Sequence, residues 1–181
     1  MAKMLRTPNS KLRTCSGLFL IIWIALLLGC GYQWVGKETH VPPELASLAI
    51  PTFLNQTYEP GIEVQFTQAF LREFIRDRRV KVLDRVEADS VLEGVIKYFN
   101  ITSVSYDQSG FVSEYQTTVI IDLILKKRTG EIIWKMGDLS ETNWYRASSS
   151  GVLNEANKAA AIQRTGRFIA ERARNRFFYD F

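Results

Sequence analysis

The segment from Tyr115 to Lys126, YQTTVIIDLILK, shows the clearest alternation of side chains in the sequence. Side chains of a strand point alternately to its two faces, so every second residue shares a face. One face would carry Tyr115, Thr117, Val119, Ile121, Leu123 and Leu125. The other face, from Gln116 to Lys126, mixes polar and apolar residues. The segment therefore predicts a strand with one buried face and one mixed face.

The sequence on both sides of this strand predicts its neighbours in a sheet. Ser90 to Tyr106 is rich in β-branched and aromatic residues and lacks helical spacing, which indicates a long strand. Asp107 to Gly110 (DQSG) and Lys127 to Gly130 (KRTG) are typical of turns. Glu131 to Lys135 (EIIWK) begins a third strand, which we expect to continue irregularly to Tyr145. Three consecutive antiparallel strands form a meander.

Two short strands and a helix are predicted before the meander. Leu48 to Phe53 (LAIPTF) indicates a strand near a sheet edge, because Pro51 has no N–H to donate. Val80 to Leu83 indicates another short strand, and Ile62 to Arg78 between them has helical spacing. The inner face of this helix is predicted to carry Val64, Thr67, Phe70, Leu71, Phe74 and Ile75. Its outer face is predicted to carry Gln65, Gln68, Arg72, Glu73 and Arg76.

A second helix is predicted at the end of the chain. Ser148 to Gly151 (SSSG) is suited to cap its start, and the helical pattern extends from Asn154 to Phe177. The stripe facing the sheet is predicted to be Ala159, Ile162, Gly166, Ile169, Ala173 and Phe177. The outer face is predicted to carry Arg164, Arg167, Glu171 and Arg174, with Arg172 and Arg176 on its flank.

The predicted order of elements is β-α-β-β-β-β-α, which indicates an α+β fold. We expect a two-layer sandwich in which both helices pack on one face of a mostly antiparallel sheet. The opposite face of the sheet should be more polar. We expect a single domain over residues 44–181.

The first 29 residues have the layout of a signal peptide. Positive charges without acidic residues come first, followed by the 12-residue apolar stretch from Gly17 to Leu28. Thr14 to Gly36 is also a charge-free run of 23 residues, so a retained transmembrane helix is an alternative. The small residues Gly29 to Gly31 favour cleavage instead.

Leu27 to Cys30 (LLGC) resembles the lipobox of bacterial lipoproteins. The resemblance implies that residues 1–29 are removed and that Cys30, acylated, becomes the first mature residue. Residues 30–43 would then form a lipidated tether. We expect no cofactor, only the covalent lipid on Cys30. Several acyl chains anchor far more firmly than one, at about 0.8 kcal/mol per buried methylene. Gly31 stands where an Asp would retain a lipoprotein in the inner membrane, which favours the periplasmic side of the outer membrane.

Charge and motifs argue against several classes of protein. Removing residues 1–29 takes four of the 23 Lys and Arg residues and leaves 19, against 19 Asp and Glu. A formally neutral chain gives no support for a nucleic-acid partner. His40, the one histidine, lies in the tether without a companion ligand, so no metal site is predicted. We find no nucleotide-binding or CxxC motif and expect no enzymatic activity.

Several segments together resemble the LptE family of outer-membrane lipoproteins. They are LLGC with GY, SLAIPTF with NQTYEPG, AFLREFIRDRRVKVLDRVEADSVLEGVI, SEYQTTVIIDLIL and TGEIIW, and they extend over essentially the whole chain. Ser113 to Gln116 (SEYQ) is the most distinctive piece. The resemblance implies a non-enzymatic partner of the LptD β-barrel, which plugs the barrel, assists its assembly and contacts lipopolysaccharide (LPS). A sheet face with Gln116, Thr118 and Asp122 suits the polar interior of a barrel.

Basic residues are the candidates for the LPS contact that the resemblance implies. Better-known members have a basic residue at the turn before the EYQ-like strand, whereas this turn reads DQSG, from Asp107 to Gly110. Phosphate-binding charge could come instead from Lys126, Lys127, Arg128 and Lys135. The alternative is a solvated basic turn that keeps the sheet edge soluble.

A free-standing envelope lipoprotein is the alternative function. Secretion-channel subunits and activators of cell-wall synthesis also open with a strand like LAIPTF, an Asn- and Thr-containing loop and an amphipathic helix. The meander from Ser90 to Lys135 and the Arg-rich last helix favour LptE.

Overall fold

The computed structural model describes Pro42 and residues 45–181. Signal peptide 1–29, Cys30, His40 and all of tether 30–43 except Pro42 therefore lie outside the described residues. The elements are β1 Ser47–Ala49, β2 Leu54–Asn55, α1 Ile62–Asp77, β3 Lys81–Val82, β4 Ser90–Tyr106, β5 Val112–Lys127, β6 Ile132–Arg146 and α2 Gly151–Asp180. The strands form one sheet in the order β3-β1-β4-β5-β6, with β2 also paired to β4. The predicted α+β class and mostly antiparallel sheet are confirmed.

The meander forms as its alternation predicts. β4 pairs antiparallel with β5, and β5 with β6, with Leu92 opposite Leu125 and Ile96 opposite Ile121. The side chains of Val119, Ile121 and Leu123 are buried under the helices. Alternation along three long strands thus creates an apolar inner face, which the helices cover, and an outer face.

The first strand differs from its prediction. It divides into β1 and β2, which are separated by an irregular segment around Pro51. β1 lies between β3 and β4 and is parallel to both, so it is near the edge of the sheet, as predicted, but is not the edge strand itself. The physical reason is that α1 returns the chain so that β3 adds outside β1. Pro51 interrupts the strand rather than marking the edge of the sheet.

The irregular segment before β2 packs directly on the sheet. The Phe53 ring lies over Gly94 of β4, where a Cβ atom would come within 2.6 Å of the ring. The backbone N–H of Phe53 donates to Thr67 Oγ1 of α1 at 2.9 Å. Gly94 is therefore required by packing, because any side chain would displace Phe53.

The inner face of α1 is rotated relative to its prediction. Val64 and Ile75, which were expected inside, are exposed, whereas Phe66 and Glu73 are buried. The rotation arises because α1 packs against α2 as well as the sheet. The Glu73 carboxylate, for example, lies 3.2 Å from Arg174 of α2.

Helix α2 is longer than predicted by three residues at each end. Ser150 is its N-cap and accepts a hydrogen bond from Leu153 N–H, as the SSSG pattern predicts. Ala159 is exposed rather than inward-facing, because it lies in the open groove between the N-terminal halves of the two helices. Arg174, expected on the outer face, is mostly buried against Glu73 and Asp77 of α1.

Candidate interaction surface

The outer face of the meander is a polar surface built from three long strands. One row places Asn100, Thr118 and Thr142 side by side, and the Thr118 and Thr142 hydroxyl oxygens are 3.3 Å apart. The next row places Gln116 between Thr102 and Trp144. These side chains are half-buried or exposed, so their hydroxyl and amide groups can contact a partner.

A charged cluster joins the three strands on this face. Lys97 Nζ lies 2.8 Å from Asp122 Oδ2 and 2.7 Å from Asp138 Oδ1. The pairing of β4 with β5 is irregular at Lys97, and that of β5 with β6 is irregular at Asp138. Such bulges redirect side chains. Asp138 has a φ of 54°, and its N–H donates to Asp122 Oδ1 at 2.8 Å. The two irregularities thus bring one positive and two negative groups together.

Lys97 and Asp122 of this cluster are held in their ionised forms. Burial alone would raise the pKa of Asp122, but hydrogen bonds from Lys97 and from Asp138 N–H hold this pKa below its ordinary value. The pKa of Lys97 is raised, chiefly by its hydrogen bond to Asp122 and then by that to Asp138. Lys97 and Asp122 therefore present fixed charges near neutral pH.

Helix α2 covers part of the free edge of β6. Side chains of α2 donate to carbonyl groups on this edge: Arg164 to Trp144 at 3.1 Å, Asn157 to Arg146 at 2.9 Å, and Arg172 to Ser140. Unpaired edge groups otherwise invite pairing with another chain. These residues of α2 therefore protect the sheet edge.

The four basic residues predicted to contact LPS divide into two pairs. Lys126 is bound to Glu93 at 2.6 Å and Lys127 to Glu131 at 3.1 Å. Arg128 and Lys135 are exposed and make no ion pair with other described residues. Lys126 and Lys135 lie on the outer face in neighbouring rows, whereas Lys127 and Arg128 are at the β5–β6 turn.

A second basic region lies between the helices, at a place where no sequence pattern predicted a site. The inter-helix cleft is a cavity of about 400 Å³ lined by Ala69, Arg72, Glu73, Arg76, Gln163, Arg164 and Arg167. The one-turn spacing of its residues on each helix is visible in the sequence. Their convergence depends on how the helices pack.

The described part of the chain has neither a membrane-spanning helix nor a cluster of metal ligands. None of its helices has the length and apolar character needed to cross a bilayer. Nor do its His, Cys, Asp and Glu side chains form a group that could hold a metal ion.

The chain is similar in structure to several known proteins. The chain is similar to a protein from Caulobacter crescentus, with 9% identity, a TM-score of 0.51, and coverage of 71% of this chain and 89% of that chain. It is also similar to uncharacterized lipoprotein B from Nitrosomonas europaea, with 13% identity and a TM-score of 0.50, over 79% of this chain and 87% of that chain. For rare lipoprotein B from Shewanella oneidensis the identity is 16% and the TM-score 0.48, over 72% of this chain and 92% of that chain.

At these identities, the first two structures show a shared fold alone. No curated protein matches the chain. A family model with the description "LptE: Lipopolysaccharide-assembly" matches residues 45–177, which is most of the chain. The chain therefore belongs to the LptE family of lipopolysaccharide assembly.

Proposed function

We propose that this chain is a non-enzymatic lipoprotein of the outer membrane that forms a complex with the LptD β-barrel. It plugs the barrel, assists its assembly and supports insertion of LPS into the outer leaflet. Family membership supports a role in LPS assembly. The observation that carries the plug itself is the broad polar face of β4, β5 and β6, which the helices leave uncovered.

The chemistry of the outer face suits the interior of a barrel. Channel-facing residues of membrane barrels are polar, so a plug needs hydroxyl, amide and charged groups rather than an apolar surface. Thr118, Gln116 and the Lys97 cluster supply these groups. Tyr98 and Trp144 are exposed on the same face and can act as aromatic anchors, a residue type enriched at interfaces.

Lipidation of Cys30 completes the proposed arrangement. An acylated Cys30 would hold the domain at the periplasmic side of the outer membrane through the tether 30–43. Because acyl chains contribute additively to membrane affinity, two or more of them give a stable anchor. The domain could then meet the barrel without having a membrane-spanning segment of its own.

We also propose that Lys126, Lys127, Arg128 and Lys135 contact the phosphate groups of LPS. Arg128 and Lys135 have the freer side chains, so most of the binding should depend on them. Replacing Lys126, Lys127 and Arg128 with Ala should weaken LPS binding, and replacing Lys135 as well should weaken it further. Unchanged LPS binding would remove this proposal and leave the solvated basic turn.

The test of the proposed function is a pull-down of the tagged full chain from solubilised outer membrane. Mass spectrometry would identify both the partners and the N-terminal peptide. We expect a one-to-one complex with the LPS translocon barrel and an acylated Cys30, and a Cys30→Ala variant that is not acylated. Recovery without a barrel would favour the free-standing lipoprotein. An intact residue 1–29 segment would favour the transmembrane anchor.

A further inference from the structure

We propose that the inter-helix cleft is a binding site for a phosphate group, formed by Arg72 and Arg76 of α1 and Arg167 of α2. This site is on the helix layer, whereas the proposed barrel contact is on the opposite side of the sheet. The inference therefore does not depend on the proposed function.

The packing of the helices creates the cleft. Their contacts advance together along both helices, from Ala69 beside Gly166 to Glu73 beside Arg174, so α1 and α2 run in the same direction. A Cβ atom on Gly166 would be 3.5 Å from Ala69 Cβ, which shows how closely the helices approach. Longer side chains on both helices then form the walls of the cavity above this contact.

Each wall carries long polar side chains one helical turn apart, and at least one of them on each wall is an arginine. Arg72 and Arg76 line the cavity from α1, and Gln163 and Arg167 line it from α2. Arg164 also lines it, but its guanidinium group is directed to Asn143 and Trp144 of β6. The guanidinium groups of Arg72 and Arg167 and the Gln163 amide are therefore available as donors, together with the N–H groups of Arg76 that do not bind Glu73.

The acidic side chain in the cleft is already neutralised. Glu73 is buried and binds Arg76 at 2.7 Å and Arg174 at 3.2 Å. Arg72 and Arg167 make no ion pair with any residue that the structure describes, and the Arg167 guanidinium lies 5.1 Å from the Phe168 ring. Glu171, one turn beyond Arg167 on α2, does not line the cleft and makes no ion pair with Arg167. The cleft thus has unpaired positive charge on both walls.

Arginine on two sides of a cavity is suited to phosphate. A guanidinium group presents parallel N–H donors that match two phosphate oxygens, and a phosphate has enough oxygens to bind two such groups at once. The four basic residues at and near the β5–β6 turn differ, since Lys126 and Lys127 are in ion pairs, whereas Arg72 and Arg167 in the cleft are not. The shared ligand chemistry is a phosphate monoester or diphosphate, from either a lipid headgroup or a soluble anion.

The test measures binding of inorganic pyrophosphate to the full chain in neutral detergent by calorimetry. The Arg72→Gln/Arg167→Gln variant should lose at least tenfold in affinity. The matched control, Lys81→Gln/Arg146→Gln, removes the same charge from two exposed residues that make no ion pair with other described residues and lie outside both proposed phosphate sites, so it should change affinity by less than twofold. Arg72→Lys/Arg167→Lys keeps the charge but loses the paired donors, so it should also bind several-fold more weakly.

The source of the phosphate is resolved by a second titration with mixed micelles that contain phosphatidic acid or phosphatidylcholine. Preference for phosphatidic acid over pyrophosphate would identify a lipid headgroup, and the reverse a soluble anion. Equal losses in the cleft and control variants, or no saturable binding of either phosphate probe, would overturn the proposal. Thermal unfolding verifies that each variant is folded. If the cleft variant still recovers the barrel in a pull-down, its loss of phosphate binding is independent of the barrel complex that the proposed function requires.

Discussion

The two faces of the meander belong to the same strands but differ in burial and in polarity. On the inner face, Ile121 and Leu123 are buried against the helices, and no water reaches them. On the outer face, Thr118 and Asp122 from the same strand are half-buried and hydrogen-bonded. The comparison shows that alternate residues of one strand can separate stability from interaction. Substitutions on the inner face should therefore change the stability of the fold, whereas those on the outer face should change binding to a partner.

The largest expected effect tests this separation at adjacent residues. Leu123→Ala removes a side chain that is 1% exposed and leaves a cavity, so the free energy of unfolding should fall by about 2–5 kcal/mol. Ile124→Ala, on the outer face, should lower it by less than about 1.5 kcal/mol. Chemical denaturation measures both. Equal losses at the two positions would show that the outer face is also part of the folding core.

The next prediction compares two glycines that packing places differently. A Cβ at position 94 would lie 2.6 Å from the Phe53 ring, so Gly94→Ala should destabilise the protein by about 1–3 kcal/mol. A Cβ at position 166 meets Ala69 at an ordinary 3.5 Å, so Gly166→Ala should be neutral or gain up to about 1 kcal/mol from helix propensity. Thermal unfolding of the two variants gives the answer. A destabilised Gly166→Ala would mean that the helices cannot separate even slightly.

Two ion-pair networks extend the comparison to charges. The Glu73 side chain is 5% exposed, and Glu73→Ala leaves Arg174 without that partner, so a loss of about 1–3 kcal/mol is expected. The Asp138 side chain is 84% exposed on the outer face, and Asp138→Asn, which removes the charge but tolerates the positive φ of this position, should cost no more than about 1 kcal/mol. Urea denaturation of both variants measures the difference. A reversed order would contradict the burial argument.

Acid should weaken both networks through a smaller effect. The hydrogen bond from Arg79 lowers the pKa of Asp77 below its ordinary value of 3.8, and the pKa of Asp122 is also lowered. A lowered folded-state pKa gives stability that is present above the unfolded pKa and lost as pH falls through the folded pKa. The Tm should therefore be steady above about pH 5 and fall below about pH 4.

The Asp77→Asn and Asp122→Asn variants isolate the two carboxylates. Each should flatten the decline in Tm between about pH 4 and pH 2, because the titrating group is absent. Melting curves recorded across this range would show the change. An unchanged pH dependence in both variants would mean that other carboxylates control acid unfolding.

The meander could be predicted from sequence because its signal is local. Alternation from Tyr115 to Leu125 fixes which residues share a face, and the turn residues at Gly110 and Gly130 fix where the strands reverse. Both glycines adopt positive φ, at 81° and 91°. Local patterns of this kind do not depend on the rest of the chain.

Features that depend on distant contacts could not be predicted. The interior position of β1 depends on where α1 places β3, and the burial of Glu73 depends on the helix that begins at Gly151. For the same reason, Arg72 and Arg167 looked like parts of two separate solvated faces. The outer-face position of Gln116 and Thr118 was predicted correctly, since it follows from the same alternation as the core.

Site-specific photo-crosslinking of the full chain in cells tests most directly whether the outer face meets the barrel. A crosslinking residue would replace Thr118 or Gln116 on the outer face, with Ile75, which is exposed on α1 in the helix layer, as the control. We predict crosslinks to the LPS translocon barrel from Thr118 and Gln116 and none from Ile75. Absence of barrel crosslinks from both outer-face positions, in a protein that reaches the outer membrane, would contradict the account.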